Sequence, residues 1–138
     1  MDPRPAFEIA AGTFVTVEAA GGRSLCLKAE RIGKEHVNHF LVPLEPLDEP
    51  TALSLRYIDP ELALVPVDGV GLTFADGPAR TEPDVGDIFA NRLGLFLKIR
   101  DDAHSQRLFA YVDVRSGLIR ARMERGIERL LRWRVQRF

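Results

Sequence analysis

Apolar side chains recur at every second position along most of this chain. Period two admits one building block, the half-buried β-strand, because successive residues of a strand point to opposite faces. Residues 13–19 alternate with Val15, Val17 and Ala19 on one side, and Gly21-Gly22-Arg23 turns the chain into residues 24–32, where Leu25, Leu27 and Ala29 share a face. Gly33-Lys34 leads to a strand around residues 37–42. Pro43, Pro46 and Pro50 lack the amide proton that a ladder needs, so they are expected to frame an acidic loop with Glu45, Asp48 and Glu49. Strands follow at 53–58, with Leu53, Leu55 and Tyr57 aligned, and at 62–67. Asp68-Gly69 is expected to close a hairpin onto 70–75.

The stretch 76–87 carries Gly77, Pro78, Pro83 and Gly86 and is the strongest break in the chain. Neither flanking piece is comfortably large enough to stand alone, so 1–138 is expected to be a single domain with a long loop near 76–87. Beyond it, Leu93, Leu95, Leu97 and Ile99 alternate with Phe96, Lys98 and Arg100. After a loop over 101–106, Leu108, Ala110, Val112 and Val114 alternate with Phe109, Tyr111 and Asp113, and Ser116-Gly117 turns into residues 118–123. This pattern predicts a three-strand antiparallel meander with one aliphatic face. From about residue 124 the apolar spacing of Met123, Ile127, Leu130, Leu131, Val135 and Phe138 fits a helix, with Arg122, Arg125, Arg129 and Arg132 on the opposite side. The expected fold is mainly β, an antiparallel barrel or sandwich of about eight or nine strands closed by one C-terminal amphipathic α-helix.

Charge is segregated along this frame. Residues 115–138 hold eight arginines against Glu124 and Glu128, a net of +6, whereas the 114 residues before them hold 11 bases and 18 acids. A basic end on an acidic body either docks on that body or meets an acidic partner. The single cysteine, Cys26, excludes an internal disulfide and suits a reducing cytoplasmic setting. Met-Asp-Pro-Arg-Pro at the N-terminus has no secretory pattern, and no apolar run approaches the roughly 20 residues of a membrane span.

Motifs that carry chemistry are absent from the sequence. His36 and His39 would face opposite sides of a strand, and no further Cys or His pair completes a zinc tetrahedron. No serine sits in a nucleophile elbow, and Cys26 lies between Leu25 and Leu27 as a small buried thiol would. The paired acids, Asp59 with Glu61, Asp84 with Asp87 and Asp101 with Asp102, fall beside turn residues or in loops. The glycines form neither a dinucleotide fingerprint nor a phosphate loop, so no cofactor, metal or small-molecule substrate is expected.

Two candidate binding surfaces remain. The first is the second face of the meander, where Phe96, Phe109 and Tyr111 lie among Lys98, Arg100, Arg107, Arg120 and Arg122. Such a face stacks single-stranded nucleic acid when open, and packs under a cover when closed, with the terminal helix the expected cover. The second is the arginine face of that helix, Arg122, Arg125, Arg129 and Arg132, with Trp133, Arg134 and Arg137 beside it. Trp and Arg are enriched at protein-binding hot spots. The leading expectation is a non-catalytic interaction or assembly subunit that binds a protein partner or its own copies. The alternatives are a nucleic-acid-binding module and a small enzyme with a site assembled from scattered residues.

Overall fold

A computed structural model describes residues 2–19, 22–47, 53–80, 82–102, 108–123 and 126–138. Among the described residues the chain forms twelve strands and one 3-10 turn. In chain order the strands are β1 (Arg4–Pro5), β2 (Phe14–Ala19), β3 (Gly22–Ile32), β4 (Val37–Glu45), β5 (Arg56–Ile58), β6 (Ala63–Pro66), β7 (Val70–Asp76), β8 (Ile88–Asn91), β9 (Gly94–Arg100), β10 (Phe109–Asp113), β11 (Ile119–Arg120) and β12 (Arg129–Arg137). They make two six-stranded sheets, ordered β1-β6-β2-β3-β4-β5 and β11-β10-β9-β8-β12-β7, and every pairing between neighbours is antiparallel.

The alternation read from the sequence places side chains on three apolar layers. The central layer lies between the sheets. Leu27 and Ala29 of β3 and Phe40, Val42 and Leu44 of β4 face Ile88, Leu97, Ile99, Ala110, Val112 and Leu131 of the second sheet. These residues come from both sides of the 76–87 stretch, so one core joins the two portions of the chain. A second layer covers the outer face of the first sheet, where Val15, Val17, Cys26 and Leu41 pack under Ala6 and Ile9 of the N-terminal segment. The third lies on the outer face of the second sheet and contains Phe89, Phe96 and Leu130, with Tyr111, Met123 and Ile127 against them. Strand β3 is therefore buried on both faces from Ser24 to Ala29.

Segment 53–55 links the sheets and gives the sandwich its half-barrel character. Leu55 donates its amide to the Arg100 carbonyl at 2.8 Å, and Arg100 donates to Leu53 at 2.9 Å. Gly117 holds another junction. Its φ is +71°, and an added Cβ would sit 2.6 Å from the Lys28 carbonyl oxygen, so only glycine fits where the turn after β10 touches β3.

Four sequence expectations need correction. The C-terminal helix is not formed: Arg129–Arg137 is a strand, inserted between β7 and β8. Leu131, Trp133 and Val135 alternate with Arg132, Arg134 and Gln136, a period-two pattern that also satisfies part of the helical spacing. Two sheet neighbours supply a ladder on each side, whereas a short isolated helix is marginal in water. Among the described residues strands number twelve because β1, β8 and β12 join those foreseen. Strand β4 continues through Pro43 to Glu45: Pro43 lies opposite Cys26, whose main-chain groups are spent on β2, so the missing donor faces away from β3, past the end of the β4–β5 pairing. Finally, Asp68-Gly69 closes no hairpin: β6 belongs to the first sheet and β7 to the second, so the turn crosses between layers. Asp48 and Glu49 lie outside the described residues. Among the described residues no helix is long and apolar enough to cross a membrane.

Candidate functional site

The aromatic face and the arginine-rich terminus separate in the folded chain. Phe96 is fully buried on β9, with Phe89 at 5.9 Å between ring centroids and the Arg120 guanidinium 5.8 Å from its own. Tyr111 is half-buried and meets Phe89 edge-on at 5.9 Å. Met123 and Ile127, from the segment that joins β11 to β12, pack on this cluster in place of the expected helix. Phe109 remains 39% exposed, with the Lys98 ammonium 4.5 Å from its ring centroid. Acids surround that corner: Asp84 and Asp102 line the same cleft as Lys98, Arg100 and Phe109, and Arg100 pairs with Asp102 at 3.5 Å. A base cannot stack on Phe96, and the cations around Phe109 are balanced by carboxylates.

The predicted arginine face is broken up by the strand geometry. Arg132 and Arg134 project from the outer face of β12 and are exposed. Trp133 points the other way, into the core layer, and donates its indole Nε1–H to the Gly86 carbonyl at 2.7 Å. It therefore anchors β12 and is not part of the basic surface. Arg129 is exposed at the start of the strand, and Arg122 is exposed before it. Arg125 lies outside the described residues, as do Arg107 and His104. Arg137 pairs with Glu45 at 2.6 Å, both partly exposed, across a cleft of about 720 Å³ at one end of the sandwich.

What the sequence did not single out is strand β7. Among the described residues it is the last strand of the second sheet and pairs only with β12. Its Phe74 is 39% exposed. Across the ladder, Arg132 lies opposite Ala75 and Arg134 opposite Thr73. Among the described residues neither arginine forms an ion pair. Alternation of small and apolar residues in Gly71-Leu72-Thr73-Phe74-Ala75 was visible in the sequence, but its place at an edge was not.

The buried ionisable groups lie elsewhere. Lys28 is fully buried, and its ammonium donates to the Ile9 carbonyl at 3.0 Å and to Glu30 Oε2 at 2.9 Å. His39 sits opposite Glu30 in the β3–β4 register, and its Nδ1 is buried without a hydrogen-bond partner among the described residues. Burial, and then the Lys28 charge, pull its pKa below the usual 6.5, with Glu30 opposing. The unfolded chain then binds this proton first as pH falls, so the neutral His39 contributes stability that is complete above about pH 6.5 and declines below it. The expected result is a smaller drop in urea midpoint between pH 7.5 and pH 5 for His39→Asn than for the wild-type chain. An equal drop would assign the acid sensitivity to other groups. Among the described residues no cluster of three His, Cys, Asp or Glu side chains is arranged to hold a metal ion.

In comparison with known proteins, no family model matches the chain, and neither a curated protein nor a solved structure shows a significant match.

Proposed function

We propose that the chain is a non-catalytic interaction domain, an assembly subunit or adaptor, that meets a protein partner along β12 and the neighbouring strand β7. The observation that carries this role is the pair Arg132 and Arg134: two outward guanidinium groups, without an ion pair among the described residues, beside the open edge of a sheet. Exposed arginines next to an uncovered apolar residue, here Phe74, match the composition of protein interfaces. Nucleic acid is the rival partner, because the same guanidinium groups suit phosphate. It is disfavoured because Phe96 and much of Tyr111 are enclosed, which leaves Phe109 as the one exposed ring of the predicted platform. A cytoplasmic setting belongs to this proposal. Cys26 is a free, buried thiol whose pKa is pushed up by burial, a group suited to staying reduced.

The test is affinity capture from a nuclease-treated lysate, with light scattering of the purified chain at low and high salt. The wild-type chain should retain a protein, or self-associate at low salt, and R132E/R134E should do neither. A monomer at both salt concentrations that retains no protein would overturn the proposal. Steeply salt-dependent binding of single-stranded oligonucleotides in place of protein would establish the rival.

A further inference from the structure

Three of the four sheet edges are short. β1 and β11 have two residues each and β5 has three, whereas the edge strand β7 has seven. Long open edges are templates for another chain, and soluble proteins usually blunt them with lysine, proline or a bulge. β7 contains neither lysine nor proline and pairs in unbroken register with β12.

The direction of its main-chain groups follows from two hydrogen bonds. Gly77 donates to the Leu130 carbonyl at 3.0 Å, and Phe138 donates to the Gly69 carbonyl at 2.8 Å. Both pairs continue the β7–β12 register, and hydrogen-bonded pairs alternate in an antiparallel ladder. Gly71, Thr73 and Ala75 therefore spend their amides and carbonyls on β12. The main-chain groups of Val70, Leu72, Phe74 and Asp76 point to the open edge.

The side chains on the two faces of β7 differ. On the outer face Gly71, Thr73 and Ala75 are small, and Gln136, Arg134 and Arg132 lie opposite them. A strand added at the edge would lie about 10 Å from β12, two strand spacings away. The long arginine stems can lie across Thr73 and Ala75 and bring their charged ends to that added strand. On the other face, a cleft of about 220 Å³ opens between Leu72, Phe74, Phe14, Leu95, Val114 and Arg115. Resting on the interaction role proposed above, we infer that β7 receives an extended acidic segment of a partner protein as a seventh strand of the second sheet. Its acids alternate on the face of Arg132 and Arg134, and apolar side chains between them enter the cleft beside Leu72 and Phe74. Main-chain hydrogen bonds at Leu72 and Phe74 supply affinity, and the alternating faces supply selectivity. A second copy of the chain is a poorer occupant. Pairing β7 with itself about Thr73 sets Leu72 against Phe74, but it also gathers Arg132 and Arg134 of both copies on one outer face with no acid between them.

The probe is a capped octapeptide of alternating valine and glutamate, with its lysine counterpart as control, titrated into the full chain and followed by amide NMR and fluorescence anisotropy. Saturable binding of the glutamate peptide should shift the amides of residues 70–76 and slow hydrogen exchange at Leu72 and Phe74. The lysine peptide, and R132E/R134E with the glutamate peptide, should bind at least about tenfold more weakly. Phe74→Pro deletes one edge-facing donor and no β12 bond, so it should abolish binding, whereas Phe74→Ala should weaken it only partly. If Phe74→Pro does not fold, R132E/R134E decides. Shifts mapped away from β7, equal binding of the two peptides, or unchanged affinity in folded Phe74→Pro would overturn the inference. Retention of a captured protein by Phe74→Pro as strongly as by the wild-type chain would overturn the β7 site while leaving the interaction role standing.

Discussion

Truncating Phe96 to alanine should lower the stability of the folded chain by about 3–5 kcal/mol, measured as a shift in the urea unfolding midpoint. Phe96 is fully buried at the centre of the outer layer on the second sheet. Its ring touches the Phe89 ring, the Arg120 guanidinium lies over it, and Leu130, Met123 and Ile127 complete the layer. These neighbours come from β8, β11, β12 and the segment before β12, so no single element can collapse into the space left behind. A large aromatic deletion in such a site loses the transfer energy of the ring and leaves a cavity. Phe109→Ala is the internal control, because that ring is 39% exposed on the same sheet, and it should cost only about 1–2 kcal/mol. If Phe96→Ala were as mild as Phe109→Ala, the cover formed by Met123 and Ile127 would be loose. The aromatic face would then be open for stacking, and the nucleic-acid alternative would regain its platform.

Lys28→Ala should cost about 3–5 kcal/mol, because removing one member of a buried ion pair strands the other. The Lys28 ammonium joins two parts of the fold. It lies on β3, holds the Ile9 carbonyl of the N-terminal segment, and pairs with Glu30 two residues along the same face. Alanine leaves that carbonyl and the largely enclosed Glu30 carboxylate without their donor. Lys28→Met keeps most of the volume and isolates the electrostatic part, so it should cost less than alanine. A double-mutant cycle with Glu30→Gln should return a coupling of about 0.5–3 kcal/mol. Equal stability of wild type, Lys28→Ala and Lys28→Met would show that the amine contributes nothing to the fold.

Much of the local architecture could be read from residue order. Alternation placed Val15 and Val17, then Leu25, Leu27 and Ala29, then Leu97, Ile99, Ala110 and Val112 on shared faces; all are buried, and all but Leu25 belong to the layers described above. The need to cover Phe96 and Tyr111 was legible too, since aromatic residues on the second face of a sheet require a partner. The apolar stripe that covers them was legible as well, but not its conformation. Met123, Ile127 and Leu130 fit helical spacing in the sequence, yet they supply the cover from the start of β12 and the segment before it. Lys28 is a further case: a lysine in an alternating strand reads as a solvated residue, and only the N-terminal segment folding over β3 makes it a buried donor.

Residue order by itself determined that this is a β chain, which side chains turn inward along most strands, and that positive charge gathers at its end. Those properties are local, set by the pleat and by composition. Tertiary structure alone decided that residues 129–137 form a strand, that Asp68-Gly69 crosses between sheets, and that β7 is left at an edge beside Arg132 and Arg134. Leu130, Leu131 and Val135 satisfy a helix and a strand almost equally. The ladders offered by β7 and β8, hydrogen-bonding partners more than fifty and about forty residues away in the chain, settle which is formed.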